Sequence, residues 1–349
     1  MALALGAALA LLACAGCSQR PRVEQRIALV DGAAQADYAL DTRELTHLGD
    51  TYTLEQALTE LGISARQAQV YAADGRIVKA PCAQVRIDAY GGLRVEGERI
   101  QEAAGILLSP PERSNRDVYA SALASLRAGT RVLVLFIDGF GLDTYEAALE
   151  KGRIPNLSTM RAQAASGVYP TITPVNNAAM VPGRAPDGTG VHKRGDHEIA
   201  CATLFDGAKE LGLTCRVAEG DQEMLALGCP QLLSPDVDGD GYTDGEVFDS
   251  AMRCLEEDSP DLLFVHFHGV DDASHRTGPR SEEVYARLSR IDAYAGALMD
   301  AWDGAVIAVA DHGQHAAEAM EGAGTEGEHG AFCASDLLIP FLTREDETT

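Results

Sequence analysis

Three apolar runs constrain this chain more than any other feature: Val132-Leu133-Val134-Leu135-Phe136-Ile137, Leu262-Leu263-Phe264-Val265-His266-Phe267 and Ala305-Val306-Ile307-Ala308-Val309. A strand with one wet face alternates apolar and polar residues, whereas a strand covered on both faces is apolar almost throughout. Helix signals separate the runs, for example Ser281, whose hydroxyl can cap a helix with Glu282 and Glu283 in its first turn. The expected fold is therefore α/β, a mostly parallel central sheet covered by helices on both faces.

Each run ends near a carboxylate: Asp138-Gly139, then Asp271, then Asp311-His312-Gly313. In open α/β sheets ligands bind beyond the carboxyl ends of the strands, so the three acids are expected to converge. Left unpaired they would repel one another. A bound cation resolves this, and the imidazoles of His275, His312 and His329 point to zinc or a similar transition ion rather than calcium. A second signal is Tyr169-Pro170-Thr171-Ile172-Thr173-Pro174-Val175-Asn176-Asn177-Ala178-Ala179-Met180. Thr173 before Pro174 reads as a helix N-cap with proline at the first helical position. A hydroxyl there faces free backbone N–H groups and the positive end of the helix dipole, which favours a deprotonated oxygen and a bound phosphate, so Thr173 is the candidate nucleophile.

With those motifs in order, residues 131 to about 335 resemble the alkaline phosphatase superfamily, most closely its type I phosphodiesterase/nucleotide pyrophosphatase branch. The resemblance rests on Ile137-Asp138-Gly139-Phe140, Ile154-Pro155-Asn156-Leu157, the Pro170 to Gly190 segment, Asp271 to Pro279, Asp311-His312-Gly313 and Glu328-His329-Gly330. It implies an alkaline phosphatase-like fold and two zinc ions, one held by Asp138, Thr173, Asp311 and His312, the other by Asp271, His275 and His329. It further implies a transient phospho-threonine at Thr173, with Asn176 helping to hold a phosphate oxygen. Thr171 is the alternative nucleophile, although Asn176 would then be misplaced. Ile172 stands where many relatives are polar, and Pro174-Val175 transposes the usual aromatic-Pro order, which bears on the leaving group. The implied activity is hydrolysis of a phosphodiester or nucleotide pyrophosphate in a small phosphoester or nucleotide substrate. Alternatives are a phosphomonoesterase of the same fold and a non-catalytic, ligand-binding surface lipoprotein, which should have lost a metal ligand.

The rest of the chain supplies context. Ala2 to Ala13 is a small, apolar run, too short for a membrane span of about 20 residues, and it leads into Cys14-Ala15-Gly16-Cys17. Residues 1–17 resemble a bacterial lipoprotein signal, which implies export and lipid attachment at Cys17, or at Cys14, on the outer face of a bacterial membrane. Residues 18–40 read as a tether, 41–108 as a small α+β domain, 109–117 around Ser109-Pro110-Pro111 as a linker, and 118–349 as the metallohydrolase domain. Cys82, Cys201, Cys215, Cys229, Cys254 and Cys333 form an even set that disulfides could consume outside the cytoplasm. A net charge of −25 argues against a nucleic-acid scaffold. Asp236, Asp238, Asp240, Tyr242 and Asp244, with glycine at the sixth position, follow calcium-loop spacing, although Val247 stands at the twelfth where Glu is usual. His266 and His268 share one side of a strand and read as packed or supporting residues, and Asp272, His192, His197 and His315 as solvated ones.

Overall fold

The computed structural model describes residues 26–88, 92–100, 102–317 and 326–344. The lipoprotein-type signal, with Cys14 and Cys17, lies outside the described residues. The central sheet has eight strands in the order Arg113–Ser114, Arg161–Ser166, Leu338–Arg344, Ala305–Val309, Val132–Ile137, Leu262–Phe267, Cys215–Glu219 and Gln231–Leu233. Every neighbouring pair is parallel except those made by Leu338–Arg344, which runs antiparallel to both its partners. All six residues of Val132–Ile137 and all six of Leu262–Phe267 are buried. Because successive side chains point to opposite faces, both faces of the sheet are covered, and the α/β expectation holds.

The N-terminal α+β region is built on a five-stranded sheet in the order Ala36–Asp41, Arg26–Asp31, Ala103–Leu108, Gln67–Ala72, Ile77–Pro81. A four-stranded sheet accompanies it, running Thr51–Thr53, Val85–Asp88, Leu93–Val95, Glu98–Ile100. The helix Leu54–Glu60 begins at Thr53, which makes a full capping box with Gln56. This region has its own apolar core, including Ile27, Leu29, Leu54, Val70 and Ile106. The opposite side of its larger sheet gives Val30, Tyr71 and Leu107 to the core of the large domain. Tyr71 also donates a hydrogen bond to the Gly167 carbonyl and meets Phe332 edge-on at 5.2 Å.

Three expectations change here. The tether expected over 18–40 is ordered from Arg26: Arg26–Asp31 pairs with Ala36–Asp41 and, in parallel, with Ile106 to Leu108. Alternation does it, since Ile27 and Leu29 enter one core and Val30 the other. The linker expected over 109–117 is integral as well. Arg113 and Ser114 pair with Ala165 and Ser166, Asn115 is fully buried, and the helix Asp117–Arg127 starts at once. Finally, the six cysteines from Cys82 to Cys333 carry no disulfide.

Candidate metal centre

Four parallel strands end along one edge of the large sheet, and each delivers a polar cluster there. Asp138 follows Val132–Ile137, and Asp311-His312 follow Ala305–Val309. After Leu262–Phe267 the helix Gly269–Thr277 presents Asp271 and His275 one turn apart on the same face. Gly139 takes a φ of 70°, and a Cβ there would lie 2.9 Å from the Asp271 Cα, so a glycine is what lets the turn after Val132–Ile137 close on the helix that carries Asp271. Glu219 closes the fourth strand, Cys215–Glu219. His329 arrives from the short strand Gly327–Glu328.

The first group forms around His312. Its Nε2 lies 3.2 Å from Asp311 Oδ2, 3.6 Å from Asp138 Oδ1 and 3.3 Å from Thr173 Oγ1. Its Nδ1 donates to the Gly313 carbonyl at 3.0 Å, which places the ring proton on the far nitrogen and the lone pair toward the acids. Asp138 Oδ1 and Asp311 Oδ2 are buried without a hydrogen-bond partner. Burial and the neighbouring charge of Asp138 push the Asp311 carboxyl up to about 7. Orphaned carboxylate oxygens facing an imidazole lone pair are what a divalent ion would satisfy, so this donor set fits one.

The second group repeats the design. His275 Nε2 lies 3.2 Å from Asp271 Oδ2, and His329 Nε2 lies 3.8 Å from Asp271 Oδ1. The far nitrogens are again tied to backbone: His275 Nδ1 donates to the Gly327 carbonyl and His329 Nδ1 to the Thr171 carbonyl. The hydrogen bond and charge of Asp271 lift His275 to about 9 despite partial burial. The rings of His329 and His312 stack at 3.9 Å, so the two groups are adjacent. Gln314 Nε2 donates to Asp271 Oδ1 and steers that carboxylate.

Thr173 is buried at 4% exposure and is the first residue of the helix Thr173–Met180, one position inside the expected N-cap, which is Ile172. Thr171 is turned away, its hydroxyl donating to the Ala331 carbonyl and facing Asp336. Asn176 corrects the sequence reading. It is fully buried, and its Oδ1 accepts from the Val168 N–H and Asn115 Nδ2, while its Nδ2 donates to the Val168 and Pro170 carbonyls. That amide fastens the strand-to-helix turn and has no atom left for a phosphate oxygen.

Sequence reasoning missed other residues. Arg194 comes from a loop and donates from Nη2 to His329 Nε2 at 3.0 Å, setting a guanidinium at the mouth of the second group. Glu219 was recognisable as a carboxylate at a strand end, and it holds His266 and His268. These two histidines stand against Asp138 inside the cluster.

The calcium loop does not assemble as expected. Asp236 accepts from the Gly239 and Gly241 N–H groups, and Asp238 from the Asp240 N–H. Asp240 pairs with Arg287 and Arg290. The Tyr242 ring is packed against the Arg276 and Arg287 guanidinium groups. Asp244 turns fully inside, where Oδ1 accepts from the His268 and Gly269 N–H groups and caps the helix that carries Asp271. The carboxylates that do approach one another are Asp236, Asp238 and Glu246.

No curated protein matches this sequence. Among solved structures, phosphonoacetate hydrolase from Sinorhizobium meliloti 1021 in complex with phosphonoformate is 17% identical at a TM-score of 0.47, over 67% of this chain and 62% of that one. Murine ectonucleotide pyrophosphatase/phosphodiesterase 5 is 17% identical at a TM-score of 0.44, over 54% of this chain and 58% of that one. The chain thus spans less than two thirds of the length of either. Residues 226–325, which carry Asp271, His275, Asp311 and His312, match the family model for type I phosphodiesterase / nucleotide pyrophosphatase.

Proposed function

We propose that the chain is a metal-dependent phosphoester hydrolase that cleaves a phosphodiester or nucleotide pyrophosphate bond with Thr173 as nucleophile. One observation carries the reading: Asp138, Thr173, Asp311 and His312, with Asp271, His275 and His329 beside them, bring their oxygen and Nε2 atoms together while the far imidazole nitrogens are tied to backbone carbonyls. These seven would hold two zinc-type ions, which when bound lower the pKa of a hydroxyl and neutralise phosphate oxygens. Thr173 Oγ1, deprotonated, attacks phosphorus in line; the P–O bond to the leaving group breaks, and water later breaks the bond to threonine. Pro174 and the Asn176 network fix the angle at which Oγ1 leaves the helix start. Gly313 holds the other nitrogen of His312, which keeps Nε2 facing the Asp138, Asp311 and Thr173 oxygens that would share the ion with it.

Arg194 favours a second reading. A guanidinium at the site suits the second anionic oxygen of a monoester, which a diester lacks, so a phosphomonoesterase stays in play. Nitrophenyl mono- and diesters assayed with zinc, before and after chelation, decide between them. The diester reading expects the higher kcat/KM for the diester, and full activity after exhaustive chelation overturns both. The third possibility, a non-catalytic surface protein, predicts no turnover of any ester. Export and lipid attachment at Cys17 belong to the same proposal. Palmitate label should enter the native protein and disappear in Cys17→Ser; label lost in Cys14→Ser instead moves the attachment point.

A further inference from the structure

Cys215 opens the strand whose far end, Glu219, faces the metal centre, so it lies at the opposite edge of the large sheet. Val217, Ala218 and Glu219 pair in parallel with Gln231, Leu232 and Leu233 of the outermost strand, and the Val217 N–H donates to the Pro230 carbonyl at 3.2 Å. Carried back two residues, the same register sets Cys229 opposite Cys215. Register partners point to one face of a sheet, and neighbouring strands lie about 4.8 Å apart. That spacing is inside the Cα separation of about 4.4–6.8 Å that a disulfide spans.

The side chains supply the second observation. Both stand as thiols, and they hydrogen-bond one another. Their remaining contacts are long: Cys215 Sγ reaches the Phe205 carbonyl at 3.9 Å and Cys229 Sγ the Pro230 carbonyl at 3.7 Å. A thiol is a weak donor, so little holds the two sulfurs apart. The hydrogen bond from Cys229 keeps Cys215 below the ordinary thiol range, which favours one shared thiolate in the pair.

The edge that this pair would fasten is a weak one. Gln231–Leu233 has three residues and a single neighbouring strand, and Leu233 is 48% exposed. Between Glu219 and Gln231 the chain forms no helix or strand. This stretch also carries the Arg194 loop, because His197 Nδ1 donates to the Met224 carbonyl and the Ala226 N–H donates to the His197 carbonyl.

We propose that Cys215 and Cys229 form a disulfide when the chain meets a disulfide oxidant, and that the bond braces the outer edge of the sheet. The pair loses one proton to solvent, and the resulting thiolate attacks one sulfur of the oxidant, whose S–S bond breaks and expels one thiolate. The second cysteine then loses its proton and attacks the mixed disulfide, expelling the other half of the oxidant. Two thiols are oxidised by two electrons, and the oxidant leaves as two thiols that carry the two protons.

The test uses the intact chain, fully reduced and then equilibrated with oxidised glutathione, so it does not depend on export. After alkylation and digestion, one peptide pair joining Cys215 to Cys229 is expected, with Cys82, Cys201, Cys254 and Cys333 alkylated and the intact mass lower by two hydrogens. The thermal midpoint should rise by about 5 °C over the reduced chain, the shift expected for closing a loop of this length in a chain of this size. Cys229→Ser, at the more exposed of the two positions, should abolish both results. Cys254→Ser should keep both, although Cys254 is buried close to Cys229. Glutathione adducts without a crosslink overturn the proposal, as does a link from Cys229 to Cys254 in place of Cys215. A crosslink with no rise in midpoint overturns the bracing role.

Discussion

The strand ends of the large sheet and the acidic loop from Asp236 to Glu246 are both clusters of carboxylates with ligand-like spacing, and they differ in what their oxygens do. In the loop, Asp236, Asp238 and Glu246 accept from backbone N–H groups, and Asp240 meets two arginines. At the strand ends Asp138 and Asp311 keep buried oxygens with no partner, and three imidazoles turn their Nε2 edges toward the acids while backbone carbonyls hold their Nδ1 atoms. Spacing along the chain brings acids together in both places. Unsatisfied lone pairs in a buried site distinguish a place that wants a cation from one that has already satisfied itself.

The largest effect that this contrast predicts lies at Thr173. Thr173→Ala removes one oxygen at a helix start and should lower kcat on the order of 10^4-fold or more, while metal content and thermal midpoint change little. Thr173→Ser should keep part of the activity. A dead Thr171→Ala beside an active Thr173→Ala would transfer the nucleophile to the other threonine.

Asp244 belongs to the loop by sequence and to the strand-end cluster by contact, so it probes the boundary between the two. It is fully buried, caps the helix carrying Asp271 and His275, and faces Arg287, itself 6% exposed, at 3.7 Å. Asp244→Ala should cost about 3 kcal/mol, because it strands two N–H groups and part of a buried guanidinium. Denaturant unfolding measures this directly. A loss below about 0.5 kcal/mol would return Asp244 to the surface loop.

Legibility followed the same divide. The apolar runs and the acids at their ends were readable because burial on both faces leaves a local mark in the sequence. Glu219 was missed although it obeys the same strand-end rule: its strand, Cys215–Glu219, holds Arg216 and lacks an unbroken apolar run. The spacing of His266 and His268 revealed a shared side but not that Asp138 and Glu219 occupy it. The strand at Arg26 pairs with Leu29 opposite Ile106, a long-range partner that no local pattern announces. Asn176 was assigned to the phosphate from its position alone, and only its side-chain hydrogen bonds reveal that it is scaffold.

Arg194 sharpens the comparison on the substrate side. Its guanidinium reaches His329 from a loop, and one charge-assisted hydrogen bond to a phosphate oxygen is worth about 1.5–3 kcal/mol. Arg194→Ala should therefore reduce kcat/KM by about 10–100-fold for a monoester and by less for a diester. Equal losses on both would mean that the arginine holds the loop or His329 rather than a phosphate oxygen.

The smallest effect is expected at Asp238, and it tests the other half of the comparison. Its Oδ1 accepts only the Asp240 N–H two residues on, in an exposed turn. Surface changes of this kind stay within about 0.5 kcal/mol, so Asp238→Asn should leave the thermal midpoint almost unmoved. Weak calcium modules bind at about 10^-4 to 10^-3 M, so calorimetric titration with calcium to about 10 mM covers that range. With Asp240 and Asp244 engaged by arginines and by a helix start, little heat of binding is expected from this loop. A saturable calcium isotherm that Asp238→Asn abolishes would show that these side chains rearrange around an ion, and that satisfied carboxylates are no guide to where a cation goes.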